Sequence, residues 1–454
     1  MWRGEPIGRY GVLVFYTVLL AACATTSGAT NDDETALESE TETSEPDTSE
    51  PGTAADSGAD CDIPPGQPFR DGDTADVVEL GTVNGATVSG ALYPRPDYEG
   101  NPWSQWGQGI ALDDGRFYSA IGDHIGPDGN SFVYEYDPDA SELVVVGDVL
   151  SYVDHVPGTW GYGKVHSQMV PGPCGEVYFS TYWGTSRDIE FEGNYAGDLI
   201  FRVDPYARSM EPLGVPVEFH GQASLGSDPV SGLVYGEAVD PIERDAGGPP
   251  GPFFAYDVDD EETVFVSDIQ SAVGYRSILV DEEGAAYWSI GGAELQKYDP
   301  ATGDSTTHES AMPGDWLRAV TEPGPDGTVY GVTREPDSFF AMESSGEITA
   351  LGDALDYTAS MALAPDGASF FYMPGAHGNS SDWGSPLISV DTSTGEQTVI
   401  AELNDLVMSE LGYRVGGTYN IAVSADGERV FMGVNVGLDD ESFGEVVLLV
   451  IDLP

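Results

Sequence analysis

One short segment of the chain carries three polar side chains at alternating positions. Lys164, His166 and Gln168 lie in Gly-Lys-Val-His-Ser-Gln, and alternate residues of a β-strand project to the same side. A lysine can bind an anion, a histidine can take or give a proton near neutral pH, and a glutamine can orient a ligand. The segment is therefore a candidate binding site, with His166 as a candidate base.

Residues elsewhere in the chain can complete such a site. Tyr419 can act as an acid, and Arg276 and Arg318 can neutralise a carboxylate. β-Elimination from a uronate sugar needs these groups, because its carboxylate must be stabilised while a neighbouring proton is removed. The alternative is that these residues only bond water in a channel. The predicted catalytic residues are His166 and Tyr419, and the predicted ligand-binding residues are Lys164, Gln168, Arg276, Arg318 and His377.

A tight turn that recurs along the chain indicates the elements that hold these residues. Each copy follows a short apolar strand and precedes a strand rich in tyrosine and phenylalanine. Repeats of this length are typical of propeller blades, so we predict an all-β, seven-bladed β-propeller. The seven copies are Asp113-Asp114-Gly115, Pro173-Cys174-Gly175, Val230-Ser231-Gly232, Glu282-Glu283-Gly284, Pro325-Asp326-Gly327, Pro365-Asp366-Gly367 and Ala425-Asp426-Gly427.

The seventh repeat lacks a fourth strand, because the chain ends after Val447-Leu448-Leu449-Val450-Ile451-Asp452. Val77-Val78-Glu79-Leu80-Gly81 resembles the fourth strands of other repeats, so we expect it to close blade seven. Closure of this kind hides the open edges of a sheet.

On these repeats, residues 76–454 resemble the seven-bladed propellers that include quinoprotein-like, streptogramin-lyase-like and oligogalacturonate-lyase-like proteins. The resemblance implies the fold alone, since propellers carry many unrelated functions. Similarity to the oligogalacturonate lyases adds the alternative that His166 and Gln168 hold a metal ion. No multi-cysteine or zinc-type spacing is present in the sequence, and no cofactor is identified.

Long loops, histidines and basic residues are predicted to share one face of the propeller. The connections between strands B and C and between strands D and A are long in several repeats, and long loops on one face usually form a binding site. Eight of the 14 basic residues after position 62 map there, which favours recognition of carboxylate, sulfate or phosphate. The alternative is that these arginines pair with acidic neighbours in the same loops.

The charge of the chain restricts its partners. The net charge is −62, and residues 63–454 alone carry 14 basic and 65 acidic side chains, or −51. Nucleic acid and anionic membrane surfaces are therefore unfavourable partners. We interpret the charge as an adaptation for solubility in a saline setting rather than as a cation site, and we expect a monomer.

The N-terminus is typical of an exported protein. Arg3 and Arg9 precede the apolar stretch 10–22, which is too short to span a bilayer. Leu20-Ala21-Ala22-Cys23 resembles the bacterial lipobox, which implies lipidation of Cys23, and Ala24 resembles a signal for the outer membrane. The alternative is an ordinary signal peptide with a chance cysteine.

These features predict three parts of the chain. Residues 1–22 form the signal peptide, 23–62 a disordered acidic linker and 63–454 the propeller. The protein is then extracytoplasmic and lipid-anchored, at the outer membrane or cell surface. In such an oxidising compartment a disulfide between Cys61 and Cys174 is favoured over two free thiols.

Three functional hypotheses follow. The first is a tethered propeller whose long-loop face binds an anionic ligand, for which a carbohydrate is the leading candidate. The second is a lyase that acts on uronate-containing glycans, with His166 and Tyr419 moving the proton. The third is a scaffold whose loops bind another protein.

Overall fold

The computed structural model describes residues 65–97, 103–182, 195–240, 251–271 and 278–454. Strands in these residues form seven antiparallel sheets, each with four strands that we name A to D from the inside outward. The prediction of an all-β, seven-bladed propeller is confirmed. None of the helices in these ranges is long and apolar enough to cross a membrane.

The first four blades follow one another along the chain. Blade one contains Ile110–Ala111, Phe117–Gly122, Ser131–Asp137 and Glu142–Asp148. Blade two contains Lys164–Val165 with Val170–Pro171, then Val177–Tyr182, Ile200–Asp204 and Ser209–Gly214. Blade three contains Gly221–Asp228, Leu233–Val239, Pro252–Asp257 and Glu262–Gln270. Blade four contains Leu279–Val280, Ala286–Gly291, Glu294–Asp299 and Asp304–Thr307.

The last three blades complete the ring. Blade five contains Trp316–Val320, Val329–Arg334, Ser338–Met342 and Ile348–Asp353. Blade six contains Met361–Leu363, Ser369–Tyr372, Pro386–Asp391 and Gln397–Glu402. Blade seven contains Arg414–Val423, Arg429–Gly437, Glu445–Asp452 and Ala86–Leu92. The described helices are Val149–Tyr152, Ser380–Trp383 and Asn404–Leu411.

The core lies between neighbouring blades, where large side chains of the middle strands stack. Phe117 of blade one lies 5.1 Å from Phe431 of blade seven, with the rings nearly parallel. Phe253 of blade three stacks on Trp288 of blade four at 4.1 Å. The tyrosine- and phenylalanine-rich B strands therefore supply this packing, and all seven predicted turns join strand A to strand B.

The prediction for the closing strand was wrong in one respect. Ala86–Leu92 pairs directly with Glu445–Asp452 and supplies the fourth strand of blade seven. Val78–Val83 folds back on Ala86–Leu92 as a fifth, outermost strand. The reversal takes place at Asn84 and Gly85, with φ angles of 52° and 96°, and Asn-Gly favours such a tight hairpin.

Residues 67–83, which we name the N-terminal strap, lie along the outer edges of three blades. Gln67–Pro68 pairs with strand D of blade two, and Thr74–Asp76 pairs with strand D of blade one. Val78–Val83 then covers blade seven. The strap thereby satisfies backbone groups that an open sheet edge would expose.

The predicted signal peptide, the lipidation site Cys23, the linker and Cys61 lie outside the described residues. Cys174 lies in the turn between strands A and B of blade two, between Val170–Pro171 and Val177–Tyr182. The lipid anchor and the pairing of Cys61 with Cys174 stay predictions.

Candidate functional site

The inner strands of five blades are interrupted by irregular pairing. In blades three and five, strand A carries one extra residue relative to strand B, at Ala223 and Arg318, and in blade seven it carries two, at Gly416 and Tyr419. In blades one and two the pairing shifts by two residues, within segments that contain Trp106 and His166. A β-bulge redirects a side chain out of the regular ladder and is frequent beside functional sites.

Trp106 lies at the centre of a group of side chains contributed by four blades. The group, which we name the Trp106 cluster, consists of Trp106, His124, Lys164, His166, His377, Tyr419 and Phe443. Measured between ring centroids, Trp106 lies 4.8 Å from Tyr419, 5.5 Å from His124 and His377, 5.6 Å from Phe443 and 6.4 Å from His166. Lys164 Nζ lies 4.2 Å from the Trp106 ring. Lys164, His166, His377 and Tyr419 therefore all lie around one indole ring.

The backbone on both sides of Trp106 is fixed to blade seven. Asn435 Oδ1 accepts the N–H of Gln105 at 2.8 Å, and Asn435 Nδ2 donates to the carbonyl of Gln105 at 2.9 Å. Asn420 Oδ1 accepts the N–H of Gly109 at 2.7 Å. Buried polar groups satisfied in this way hold the bulged segment in a single conformation.

Lys164 and His124 are positioned by Gly163. The N–H of His124 donates to the Gly163 carbonyl at 2.8 Å, and a Cβ at Gly163 would lie 2.6 Å from Asp123 Oδ1. Only glycine allows this approach. Burial, with a smaller contribution from the charge of Lys164, holds the pKa of His124 well below its usual range, so His124 is a neutral imidazole at pH 7.

A hydrogen bond joins Tyr419 and His377. Tyr419 Oη lies 2.5 Å from His377 Nδ1, and Tyr419 is 1% exposed whereas His377 is exposed. Tyr419 thus has a direct partner in His377, and its action together with His166 stays a prediction. His166 is buried, its Nδ1 lies 3.0 Å from the carbonyl oxygen of Ala223, and its ring contacts Tyr182 at 5.1 Å.

Arg318 is linked to the Trp106 cluster through Tyr357. The side chain is only 5% exposed, and its Nε donates to Tyr357 Oη at 2.6 Å. Tyr357 packs with Trp106 and Tyr419 around buried alanines. Tyr357 therefore connects Arg318 of blade five to Tyr419 of blade seven.

Two predicted binding residues do not join this group. Gln168 lines a cavity of about 580 Å³ in the channel, and its Oε1 accepts the Leu225 N–H at 3.2 Å, which ties blade two to blade three. Arg276 lies outside the described residues. The alternative of a metal held by His166, Gln168 and other histidines of this face stays a prediction. No group of three or more His, Cys, Asp or Glu side chains in the described ranges is arranged to hold a metal ion.

Several other basic residues of this face pair with acidic neighbours, as the alternative interpretation of the sequence expected. Arg95 lies 2.8 Å from Glu445, and Arg414 lies 3.4 Å from Asp382. Arg334 lies 3.8 Å from Asp337. Arg318 differs in having the neutral Tyr357 hydroxyl as its hydrogen-bond partner, although its charge also acts on Asp337.

Comparison with known proteins identifies no family. No protein-family model matches, and no curated protein matches in sequence. A catalytically inactive virginiamycin B lyase from Staphylococcus aureus with quinupristin covers 80% of this chain and 99% of its own, at 12% identity and a TM-score of 0.49. The WD40 propeller of Doa1 has 12% identity, 79% and 95% coverage and a TM-score of 0.49. Hydrazine synthase of Kuenenia stuttgartiensis has 15% identity, 77% and 99% coverage and a TM-score of 0.46. Because the sequence identities and TM-scores are this low, we base no functional argument on these three structures.

Proposed function

We propose that this protein is a lipid-anchored, extracytoplasmic propeller that binds an acidic carbohydrate at the Trp106 cluster. The observation that carries the proposal is that Lys164 lies over the Trp106 ring, while Arg318 bonds Tyr357, which packs in the same aromatic group. A half-buried indole offers the apolar surface on which a sugar ring can stack, and cations beside it can bind the acidic substituent.

The contrast with the rest of the domain supports an anionic ligand. Residues 63–454 carry a net charge of −51, so an anion is repelled from most of the surface. A ligand that binds here therefore needs local cations that are not fully neutralised by acidic neighbours. Arg318 meets this condition, since its hydrogen-bond partner is the neutral Tyr357 hydroxyl and its interaction with Asp337 is through charge alone.

Titration with uronate oligosaccharides tests the binding site, with tryptophan fluorescence as the readout. We expect Trp106→Phe and Lys164→Gln to weaken binding about tenfold or more, because each removes one contact surface of the sugar. Lys297→Gln is the matched control, since Lys297 is the only other lysine and lies on blade four beside Asp281. Equal affinity of all variants would exclude the Trp106 cluster as the site.

The anchor is tested separately. If Cys23 is lipidated, cells supplied with labelled palmitate incorporate the label into the wild-type chain and not into Cys23→Ser. Label in both chains, or in neither, would contradict the anchor without affecting the binding proposal.

The hydrogen bond between Tyr419 and His377 favours a lyase as the second candidate function. In β-elimination a base removes the proton next to the uronate carboxylate, the C–O bond to the leaving sugar breaks, and an acid protonates the leaving oxygen. Tyr419 and His377 can serve as this pair, with Arg318 near the carboxylate. An increase in ultraviolet absorbance from the unsaturated product, lost in Tyr419→Phe and His377→Gln, would identify a lyase.

Binding without this absorbance change would identify a binder. Absence of both binding and turnover would favour the third hypothesis, a scaffold whose loops contact another protein.

A further inference from the structure

Two guanidinium groups lie close to the Tyr357 ring. The Cζ atom of Arg334 lies 4.4 Å from the centre of the Tyr357 ring, and that of Arg318 lies 5.0 Å from it. The two arginines come from adjacent strands of blade five, where Trp316 pairs with Arg334. Two like charges are thus held over a single ring, which gives each a cation–π contact.

Each guanidinium retains an N–H group without a hydrogen-bond partner. Arg318 Nη1 and Arg334 Nε are both buried, and neither has an acceptor within reach. A buried donor without a partner costs free energy, and the cost is larger for a charged group. A bound acceptor would remove this cost, so the arrangement is that of a site prepared for a ligand.

The nearby carboxylates do not supply that acceptor. Asp337 lies 3.8 Å from Arg334 Nε, too far for a hydrogen bond. Burial raises the pKa of Asp337, with the charge of Asp356 adding to the effect against that of Arg334. Asp356 already accepts hydrogen bonds from the backbone of Tyr357, from Asn379 and from Trp383.

We infer that Arg318, Arg334 and Tyr357 form an oxyanion subsite that receives the acidic substituent of the ligand. This inference rests on the proposed function and deepens it. It assigns binding of the acidic substituent to these three residues and contact with the sugar ring to Trp106. Guanidinium groups suit carboxylate and sulfate, which present planar or tetrahedral arrays of acceptors. The hydroxyl of Tyr357, which already accepts from Arg318 Nε, can donate its proton to the same oxyanion.

The experiment uses the full chain, purified in a mild nonionic detergent, and isothermal titration calorimetry. The probes are sodium glucuronate and sodium sulfate, with glucose as the neutral comparison and sodium chloride to equalise ionic strength. We expect Arg334→Gln and Arg318→Lys to weaken glucuronate or sulfate binding at least tenfold and to leave glucose binding unchanged. Arg414→Gln is the control, because Arg414 lies on the same face and is already paired with Asp382.

Tyr357→Phe keeps the inference testable if the buried Arg318 variant does not fold. It removes the acceptor of Arg318 Nε and the donor to the ligand, and we expect at least a threefold loss for the anionic probes alone. Equal anion affinity in wild type, Arg334→Gln and Tyr357→Phe would overturn the subsite.

The two anionic probes show whether the subsite binds a sulfate or a carboxylate. They also distinguish failure of the subsite from failure of the acidic-sugar function. Sulfate binding that depends on Arg334, without any binding of glucuronate or uronate oligosaccharide, would retain the subsite and refute the acidic-sugar function. Uronate binding that depends on Trp106 but not on Arg334 or Tyr357 would retain the function and refute the subsite.

Discussion

Replacement of Glu237 by glutamine is expected to change how the stability of the propeller depends on pH. Glu237 lies in strand B of blade three and is fully buried. Ser224 Oγ donates to one carboxylate oxygen at 3.0 Å, and Ser271 Oγ donates to the other. Burial raises the pKa of Glu237 to about 7, and the two serine hydroxyls oppose this shift only in part.

The sign of the effect follows from where the proton is held. Between the ordinary pKa of 4.5 and the folded-state value of about 7, the folded protein keeps a proton that the unfolded chain releases. The free energy of unfolding therefore falls as the pH rises through this window. The difference amounts to about 3 kcal/mol above pH 7 and less than about 1 kcal/mol at pH 5.

Glutamine has nearly the same shape as the protonated carboxyl group and does not ionise. We expect Glu237→Gln to be close to wild type at pH 5 and about 2 to 3 kcal/mol more stable at pH 8, relative to that baseline. Urea unfolding at pH 5, 6, 7 and 8, followed by tryptophan fluorescence, measures the difference. Glu262→Gln, at an exposed position of the outer strand of the same blade, is the control. Parallel pH profiles for wild type and Glu237→Gln would refute the reasoning.

Three further predictions concern the elements that position the site. Gly163→Ala places a Cβ 2.5 Å from the Ile125 carbonyl, so we expect a loss of roughly 1–3 kcal/mol in thermal unfolding; an unchanged midpoint would contradict the close approach. Asn435→Ala leaves both backbone groups of Gln105 without their partner. It should cost roughly 1–3 kcal/mol and shift tryptophan emission to the red, and an unshifted spectrum would count against the role of Asn435. Deletion of residues 65–76 uncovers strand D of blades one and two, so light scattering should show aggregation while circular dichroism still shows the folded propeller.

The turns of this protein are predictable from sequence because their chemistry is local. Glycine ends each turn between strands A and B, and a nearby polar or acidic side chain bonds the turn backbone in most of them, so the number of blades follows from the sequence alone. The closing strand was mispredicted although a signal was present. Asn84-Gly85 between apolar alternating segments predicts a hairpin, and a hairpin there makes Ala86–Leu92 the strand nearer the ring.

The composition of the site was only partly predictable. Lys164, His166 and Tyr419 could be grouped because the topology of a propeller brings the starts of its inner strands together. Trp106 was missed because its position depends on a bulge and on hydrogen bonds from Asn435 in another blade, neither of which has a periodic pattern in the sequence. The sequence predicts His377 as a ligand-binding residue, but its bond to Tyr419 depends on how a blade-six loop folds against blade seven.

The N-terminal strap sets the order in which its strands detach when the chain is pulled from its N-terminal side. A pull on the chain ahead of Pro65 first loads the two-residue pairing of Gln67–Pro68 on blade two, and next the three-residue pairing of Thr74–Asp76 on blade one. Only after both have detached does the load reach Val78–Val83 and the hairpin that closes blade seven. The two short outer pairings are separate from the pairing that closes blade seven. A tension that breaks only the outer pairings therefore leaves the ring closed and the Trp106 cluster assembled.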